Sequence, residues 1–180
     1  FFMIIAQQKR KENIAEYLLY MYQVEDLIRA NHLDLDRIEK TLISKFDIPG
    51  DTKREMHEWY KSLITMMKDE HKEEKGHLNI LKNVADNLQE LHEQILREGI
   101  DTSYREVYQK AKPNLDALRM KSGEQGESEI QVALNGLYGL LILKLKRTRI
   151  TEETSRAFDT IRELVAELSS RYMERNPSVR

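Results

Sequence analysis

Apolar residues recur every three or four positions along nearly the whole chain, a spacing that places them on one face of an α-helix. No alternating apolar run is long enough to predict a strand beside these segments. The periodicity and the capping residues predict helices at about 7–31, 34–46, 51–76, 77–97, 103–120, 129–147 and 151–174. We therefore expect one all-α domain over residues 1–180, a bundle of six or seven helices with an N-terminal arm at 1–6 and a frayed tail at 176–180.

The segment at 129–147 differs from the others, because between Leu134 and Leu143 apolar residues point in almost every direction around its axis. A helix that is apolar all round is enclosed by its neighbours. We therefore expect the bundle to form around a buried central helix near residues 129–147. Gly136 and Gly139 interrupt this segment, and each costs about 1 kcal/mol of helix stability relative to alanine. We expect a neighbouring backbone to approach closely at both glycines.

Composition and charge narrow the classes of function. The chain has 29 Lys and Arg residues against 31 Asp and Glu, and a net charge of −2 gives no general positive field, so nucleic-acid binding is not expected. The absence of cysteine excludes disulfides, thiolate metal sites and a cysteine nucleophile. The most apolar window, 134–145, is about 12 residues long, against the ~20 of a membrane-spanning helix. We therefore expect a cytoplasmic protein without membrane association, and no cofactor is indicated.

Carboxylates and histidines on apolar helix faces are the candidate site residues, because a buried charge needs a partner. Glu74-Lys75-Gly76-His77 matches the Glu-x-x-His spacing of carboxylate-bridged di-metal bundles, and Glu70 lies one turn earlier. Glu70, Glu74 and His77 are therefore candidate metal ligands. Such a site needs two copies of the motif and two further carboxylates, and this chain has one copy. The alternative is that residues 70–77 form the solvated end of a long helix.

Glu25, Arg29 and His92 are candidate ligand-binding residues. Glu25 falls on the inward sector of the first predicted helix, and His92 lies within the apolar stripe of the fourth. The alternative for Glu25 is an internal ion pair with Arg29, which is one turn onward. The alternative for His92 is a hydrogen bond to a carbonyl or carboxylate at the edge of the core. No serine or threonine is tied to His92 by spacing, so no catalytic residue is predicted.

Exposed side chains indicate contact surfaces. Leu19 and Tyr22 project to the side of the first helix that should face water, and we expect self-association or a protein partner there. The basic clusters at 9–11 and 144–149 would form a phosphate- or RNA-binding patch only if the fold brings them together. The helix dipole explains the second cluster without any partner.

These patterns favour a non-enzymatic scaffold or protein-interaction module, which self-associates or binds another protein. The alternative is a helical-bundle enzyme or sensor that binds a metal or ligand at an internal site. That site would have to be assembled from Glu25, Glu70, Glu74, His77 and His92, and it requires these side chains to converge on one cavity.

Three blocks of the sequence resemble an uncharacterised all-helical family from Bacteroides-type bacteria, described only as a domain of unknown function. The blocks are residues 3–21 with 25–30, the tetrapeptide Lys75-Gly76-His77-Leu78, and the run ALNGLYGLL at 133–141. The similarity extends over essentially the whole chain from Met3. It implies an all-α cytoplasmic protein of about this length, and it implies no activity, ligand or catalytic residue.

Overall fold

The computed structural model describes residues 2–177, without the side chain of residue 2, and this range contains helices and no strand. Eight α-helices follow one another along it: α1 Phe2–Glu12, α2 Ile14–Ala30, α3 Leu35–Thr41, α4 Gly50–Asp69, α5 Asn79–Glu98, α6 Thr102–Ser122, α7 Glu129–Leu145 and α8 Glu152–Arg175. A short 3-10 helix at Ile43–Lys45 follows α3. The all-α prediction is confirmed, with eight helices in the described range where six or seven were expected.

Five helices form the centre of the bundle. α7 and α8 pack against each other, and both pack against α2, α5 and α6. At the side, α1 packs against α2, and α4 packs against α1 and α3. The buried apolar residues of the described helices join into one core, so the chain folds around a single hydrophobic interior. No helix within residues 2–177 combines the length and the apolar character needed to cross a membrane.

Asn13 divides the first predicted helix into α1 and α2. Its backbone is extended, with φ −154° and ψ 105°, and its side-chain oxygen accepts a hydrogen bond from the Glu16 N–H. Asn13 is therefore the N-cap of α2. The Ser169 hydroxyl of α8 donates to the same oxygen at 2.8 Å. This hydrogen bond joins the junction between α1 and α2 to α8.

The two ends of the chain differ in what the structure describes. The arm predicted at 1–6 is helical over residues 2–6 as the start of α1, and it buries Met3 and Ala6. The frayed tail predicted at 176–180 lies outside the described residues from position 178 onward.

α4 ends at Asp69, well before the predicted end. A Schellman motif closes it: the N–H groups of His71 and of the next residue bond back to carbonyls of the last turn, and His71 takes a left-handed φ of 55°. The chain leaves the helix axis at this point. Glu74 and His77 therefore lie in a loop at 71–78. Because they do not share a helix face, the Glu-x-x-His spacing does not place them side by side as it does in a di-metal bundle.

The first part of α7 is enclosed, and its end is open. The buried residues of α7 are Ile130, Gln131, Val132, Ala133, Leu134, Leu137 and Leu140. Beyond Leu140 the exposure rises, to 41% at Leu143 and 60% at Leu145. The buried central helix expected near 129–147 is thus confirmed up to Leu140. In the last turn of α7 the side chains of Leu143, Lys144 and Leu145 are exposed.

Gly136 and Gly139 have different surroundings. A Cβ atom at Gly136 would lie 2.3 Å from Leu118 Cδ2 and 3.3 Å from Phe158 Cε1, so side chains of α6 and α8 occupy that space. A Cβ atom at Gly139 would meet no atom within 4 Å. The expected close approach of a neighbouring backbone is therefore wrong at Gly139, and at Gly136 the close neighbours are side chains.

This difference predicts opposite responses to alanine. Gly139→Ala should raise the free energy of unfolding by about 0.5–1 kcal/mol, because it improves helix propensity at an exposed position with free space. Gly136→Ala should gain less or lose stability, because Leu118 must move to admit the methyl group. Urea denaturation of both variants measures this, and an equal gain at both positions would show that the Leu118 contact imposes no constraint.

Candidate functional site

Glu25 is a buried carboxylate that holds the 71–78 loop against α2. Its side chain is 1% exposed. One carboxylate oxygen, Oε2, lies 2.6 Å from Nδ1 of His77, and the other, Oε1, accepts the N–H of Leu78 at 2.8 Å. Both oxygens are thus satisfied by a segment far along the chain. The ion pair expected between Glu25 and Arg29 is wrong: the side-chain partner of Glu25 is His77, and Arg29 pairs with Asp26.

The side chain of Arg29 binds backbone carbonyls of the same loop. Its Nε donates to the Lys72 carbonyl at 3.1 Å, and Nη2 donates to the Gly76 carbonyl. Nη1 pairs with Asp26 at 2.8 Å, and Asp26 in turn accepts the hydroxyl of Tyr138 at 2.6 Å. Arg29 on α2 therefore holds the loop directly and α7 through Asp26 and Tyr138. It can do so because a guanidinium donates to several acceptors in one plane.

Tyr22 lies beneath the loop and is 1% exposed, so the prediction that it faces water is wrong. Its ring stacks on the imidazole of His77 with a centroid distance of 3.6 Å and an interplanar angle of 18°. The Tyr22 hydroxyl accepts from Nε2 of Gln131 at 3.1 Å, and burial raises the pKa of this hydroxyl. The loop thus covers a ring that helical periodicity alone assigns to the surface.

The candidate metal ligands do not come together. Glu70 accepts the N–H of Asn79 at 2.6 Å, which satisfies a donor at the start of α5. Glu74 is exposed and makes no hydrogen bond or ion pair with the described residues. Within residues 2–177 no group of three or more histidine, aspartate or glutamate side chains is placed to hold a metal ion. Glu70, Glu74 and His77 therefore form no ligand set in this part of the chain.

His92 belongs to a second, separate polar cluster, which joins α5, α6 and α7. It is 1% exposed; its Nδ1 lies 2.7 Å from the Tyr104 hydroxyl, and its Nε2 lies 3.4 Å from Glu129 Oε2. Glu129 also accepts from the Tyr108 hydroxyl at 2.9 Å and pairs with Lys112 at 3.0 Å. Both nitrogens of His92 are therefore engaged by side chains of the bundle itself.

The protonation of this cluster follows from its contacts. The hydrogen bond with His92, supported by Lys112 and Tyr108, outweighs burial and lowers the pKa of Glu129 to about 2. Burial and the adjacent Glu129 carboxylate raise the pKa of Tyr108 to about 12. Glu129 is therefore ionised over the physiological range and serves as the common acceptor of the cluster.

Arg171 extends this network to α8. It forms a two-point contact with Asp101, the N-cap of α6, at 2.6 and 3.2 Å, and its guanidinium lies 5.0 Å from the centre of the Tyr104 ring. The hydrogen bond with Arg171 holds the pKa of Asp101 below its ordinary value. Four helices are thus linked by polar contacts at one end of the bundle.

Sequence reasoning identified His92 but missed its partners. Tyr104, Tyr108 and Lys112 recur every four residues, a spacing that places them on one face of a helix. That periodicity is a usable signal for a polar stripe facing His92. Glu129 carries no such signal, because it was predicted only as the first residue of a helix.

An apolar groove lies at the surface of the bundle beside α7. It runs between α2, α7 and α8 with a volume of about 390 Å³, and its apolar lining is Ala15, Leu19, Leu137, Leu140, Leu141, Val165 and Ala166. Its polar lining is Asn13, Glu16, Lys144 and Arg162. Leu19, which was expected at a contact surface, is half-buried in its wall. We call this feature the α2–α7–α8 groove.

The groove continues toward the end of α1. A smaller depression of about 200 Å³ shares Glu16, Leu19 and Leu141 with it and is also lined by Lys9. The fold therefore brings one residue from each of the two basic clusters, Lys9 and Lys144, to the same surface feature.

Removing the Glu25 carboxylate should destabilise the fold strongly. Glu25→Ala leaves the His77 ring nitrogen and the Leu78 N–H without their acceptor inside the protein, so we expect a loss of about 3 kcal/mol in the free energy of unfolding. Glu74→Ala, an exposed change in the same region, should stay within about 0.5 kcal/mol of the original. Urea denaturation compares the two, and similar small losses would contradict the role given to Glu25.

The Glu129 cluster predicts a pH dependence of stability. Because the pKa of Glu129 is about 2 in the folded state and 4.5 ordinarily, its contribution is fully present above about pH 4.5 and is lost as the pH falls toward 2. The stability difference between the original chain and Glu129→Gln should therefore shrink over that interval. Glu153→Gln, at an exposed position, is the control and should show no such convergence in denaturation curves.

Comparison with known protein families gives a match over nearly the whole chain. A family model described as Domain of unknown function (DUF4924) matches residues 3–178. Comparison with curated proteins and with solved structures gives no match. Since the matched region spans nearly every residue, the chain belongs to this family, the domain of unknown function DUF4924.

Proposed function

We propose that this chain is a non-enzymatic protein-interaction module, cytoplasmic and bacterial, that binds a helix of another protein in the α2–α7–α8 groove. The observation that carries the proposal is the apolar floor of the groove, which is open at the surface and bordered by polar side chains. Such bordered apolar surfaces mark sites of interaction. The sequence resemblance supports the bacterial and cytoplasmic parts of the proposal.

The shape of the groove favours a helix as its occupant. Leu137, Leu141 and Leu145 follow one another at intervals of one turn along α7, over about 12 Å, and become steadily more exposed. A second helix laid along this line can insert its own apolar side chains between those of α2, α7 and α8. Covering the exposed part of Leu145 alone would contribute roughly 1–2 kcal/mol.

Charge favours a different protein over a second copy of this chain. Lys144 and Arg162 both line the groove. A two-fold axis through the groove would bring the same two cations of both copies into one interface, and like charges at an interface are costly. A helix from another protein is free to place other groups against these cations.

The alternative function, a metal- or ligand-binding enzyme or sensor, has less support. Its candidate residues do not meet in one cavity: Glu25 and His77 lie together, and His92 lies in a separate cluster. Glu70 accepts the N–H of Asn79, and Glu74 is exposed. Glu25 and His77 satisfy each other at 2.6 Å, and His92 is bonded on both ring nitrogens. Side chains whose polar atoms are engaged by the fold are better explained as structural.

Selection from a displayed peptide library tests the proposal. The library contains helices of about 18 residues with leucine at i, i+3, i+4 and i+7 and with randomised polar positions. Peptides selected on the original chain should bind Leu141→Gln and Ala166→Gln at least about tenfold more weakly, because both changes place a polar group in the groove. Ile100→Gln, at a residue 83% exposed and outside the groove, is the matched control and should bind normally.

Two results would contradict this function. One is a selection in which every peptide binds the groove variants as well as it binds the original chain. The other is a dimer in sedimentation equilibrium that dissociates in Leu141→Gln, because it would make a second copy the occupant. Circular dichroism of each variant checks that the fold is retained.

A further inference from the structure

The lining of the groove contains more positive than negative side chains, and nearby carboxylates do not pair with all of them. Lys144 is exposed and makes no ion pair or side-chain hydrogen bond with any residue in the range 2–177. Arg162 pairs with Asp159, but the two side chains are 50% and 59% exposed, so solvent weakens that contact. Glu16 is the only carboxylate among the lining residues, and Lys9 already binds it at 2.6 Å.

The chain directly after α7 carries three further cations. Lys146, Arg147 and Arg149 are exposed, and none forms an ion pair with the described part of the chain. Other cations of the bundle, such as Arg171 and Lys112, are held by carboxylates. The dipole of α7 favours cations in its last turn, but Arg149 lies beyond that turn. Because the whole chain has a net charge of −2, the positive field is local to this end.

We propose, on the basis of the proposed function, that the partner of the α2–α7–α8 groove is an acidic amphipathic helix: its leucine-type face fills the groove, and its flanking carboxylates face Lys144 and the cations at 146–149. A single ligand of the groove must match an apolar floor and a positively charged border. The apolar floor takes alkyl side chains, and the unpartnered cations take anionic groups. A helix with one apolar face and acidic flanks supplies both.

Other anionic partners fit the groove less well. The leucine, valine and alanine side chains of its floor offer no hydrogen bonds to the sugars or base edges of a nucleic acid. A membrane surface could cover the exposed leucines at the end of α7, but a bilayer does not enter a concave trough between three helices. The concave apolar floor therefore favours a protein helix, and the other two classes become outcomes of the test.

Three synthetic peptides test the charge of the partner. They share one leucine face, taken from the selection described above, and carry Glu, Gln or Lys at the flanking positions. At about 0.1 M salt the Glu peptide should bind about tenfold more tightly than the Gln peptide, and the Lys peptide more weakly than both. The advantage of the Glu peptide should shrink at about 0.5 M salt, because exposed charges are screened.

Substitutions assign the effect to the cations of this end. Lys144→Gln with Lys146→Gln, and Arg147→Gln with Arg149→Gln, should each reduce the affinity for the Glu peptide and leave that for the Gln peptide unchanged. Lys110→Gln with Lys121→Gln removes two exposed cations that do not line the groove, and this control should change neither affinity.

The failures of the two proposals are distinguishable. If all three peptides bind equally and Leu141→Gln weakens all of them, the groove is the site and the acidic partner is wrong. If no peptide responds to Leu141→Gln, the proposed function is wrong as well. Binding of single-stranded RNA or of phosphatidylserine vesicles that is lost in the Lys144 and Lys146 variant but kept in Leu141→Gln would also overturn the acidic helix.

Discussion

The carboxylate of Glu25 is a charge inside a bundle of apolar side chains, and the fold depends on its being satisfied there. Isolated in a dry interior, this group would cost several kcal/mol. Its two oxygens accept from His77 and from the Leu78 backbone, so the connection between α4 and α5 must run across α2. Arg29 and the stacked ring of Tyr22 then close the loop over that helix. One buried charge thus determines the path of a loop that has little apolar surface of its own.

The second polar cluster constrains the other end of α5 in a comparable way. His92, Glu129 and the tyrosines of α6 place donors opposite acceptors across three helices, and Arg171 adds α8. Apolar packing alone tolerates small rotations of a helix about its axis, whereas hydrogen-bond distances do not. We therefore interpret both clusters as devices that set the rotation and order of the helices. This interpretation leaves the surface groove, and not a buried site, as the place for interaction with other molecules.

The groove follows from how α7 is covered. Apolar residues point in almost every direction around α7 between Leu134 and Leu143, yet the last buried residue of the helix is Leu140. Of the remaining leucines, Leu141 lies beside the start of α2 and the middle of α8, where the three helices leave a trough. Lys144, which forms no ion pair within the described residues, borders the same trough. An apolar floor and a basic edge are therefore products of one helix that continues past its neighbours.

The sequence by itself determined the all-helical class and the single core, because helical periodicity is a local property of the chain. It also marked Glu25 and His92 as polar residues on apolar helix faces. The tertiary structure alone decided their partners: His77, Tyr104 and Glu129 reach them only through contacts between distant segments. It also decided that Tyr22 is covered, because a loop without periodicity lies over it. Burial on a helix face is a local pattern, whereas the atom that satisfies a buried charge depends on how the helices pack.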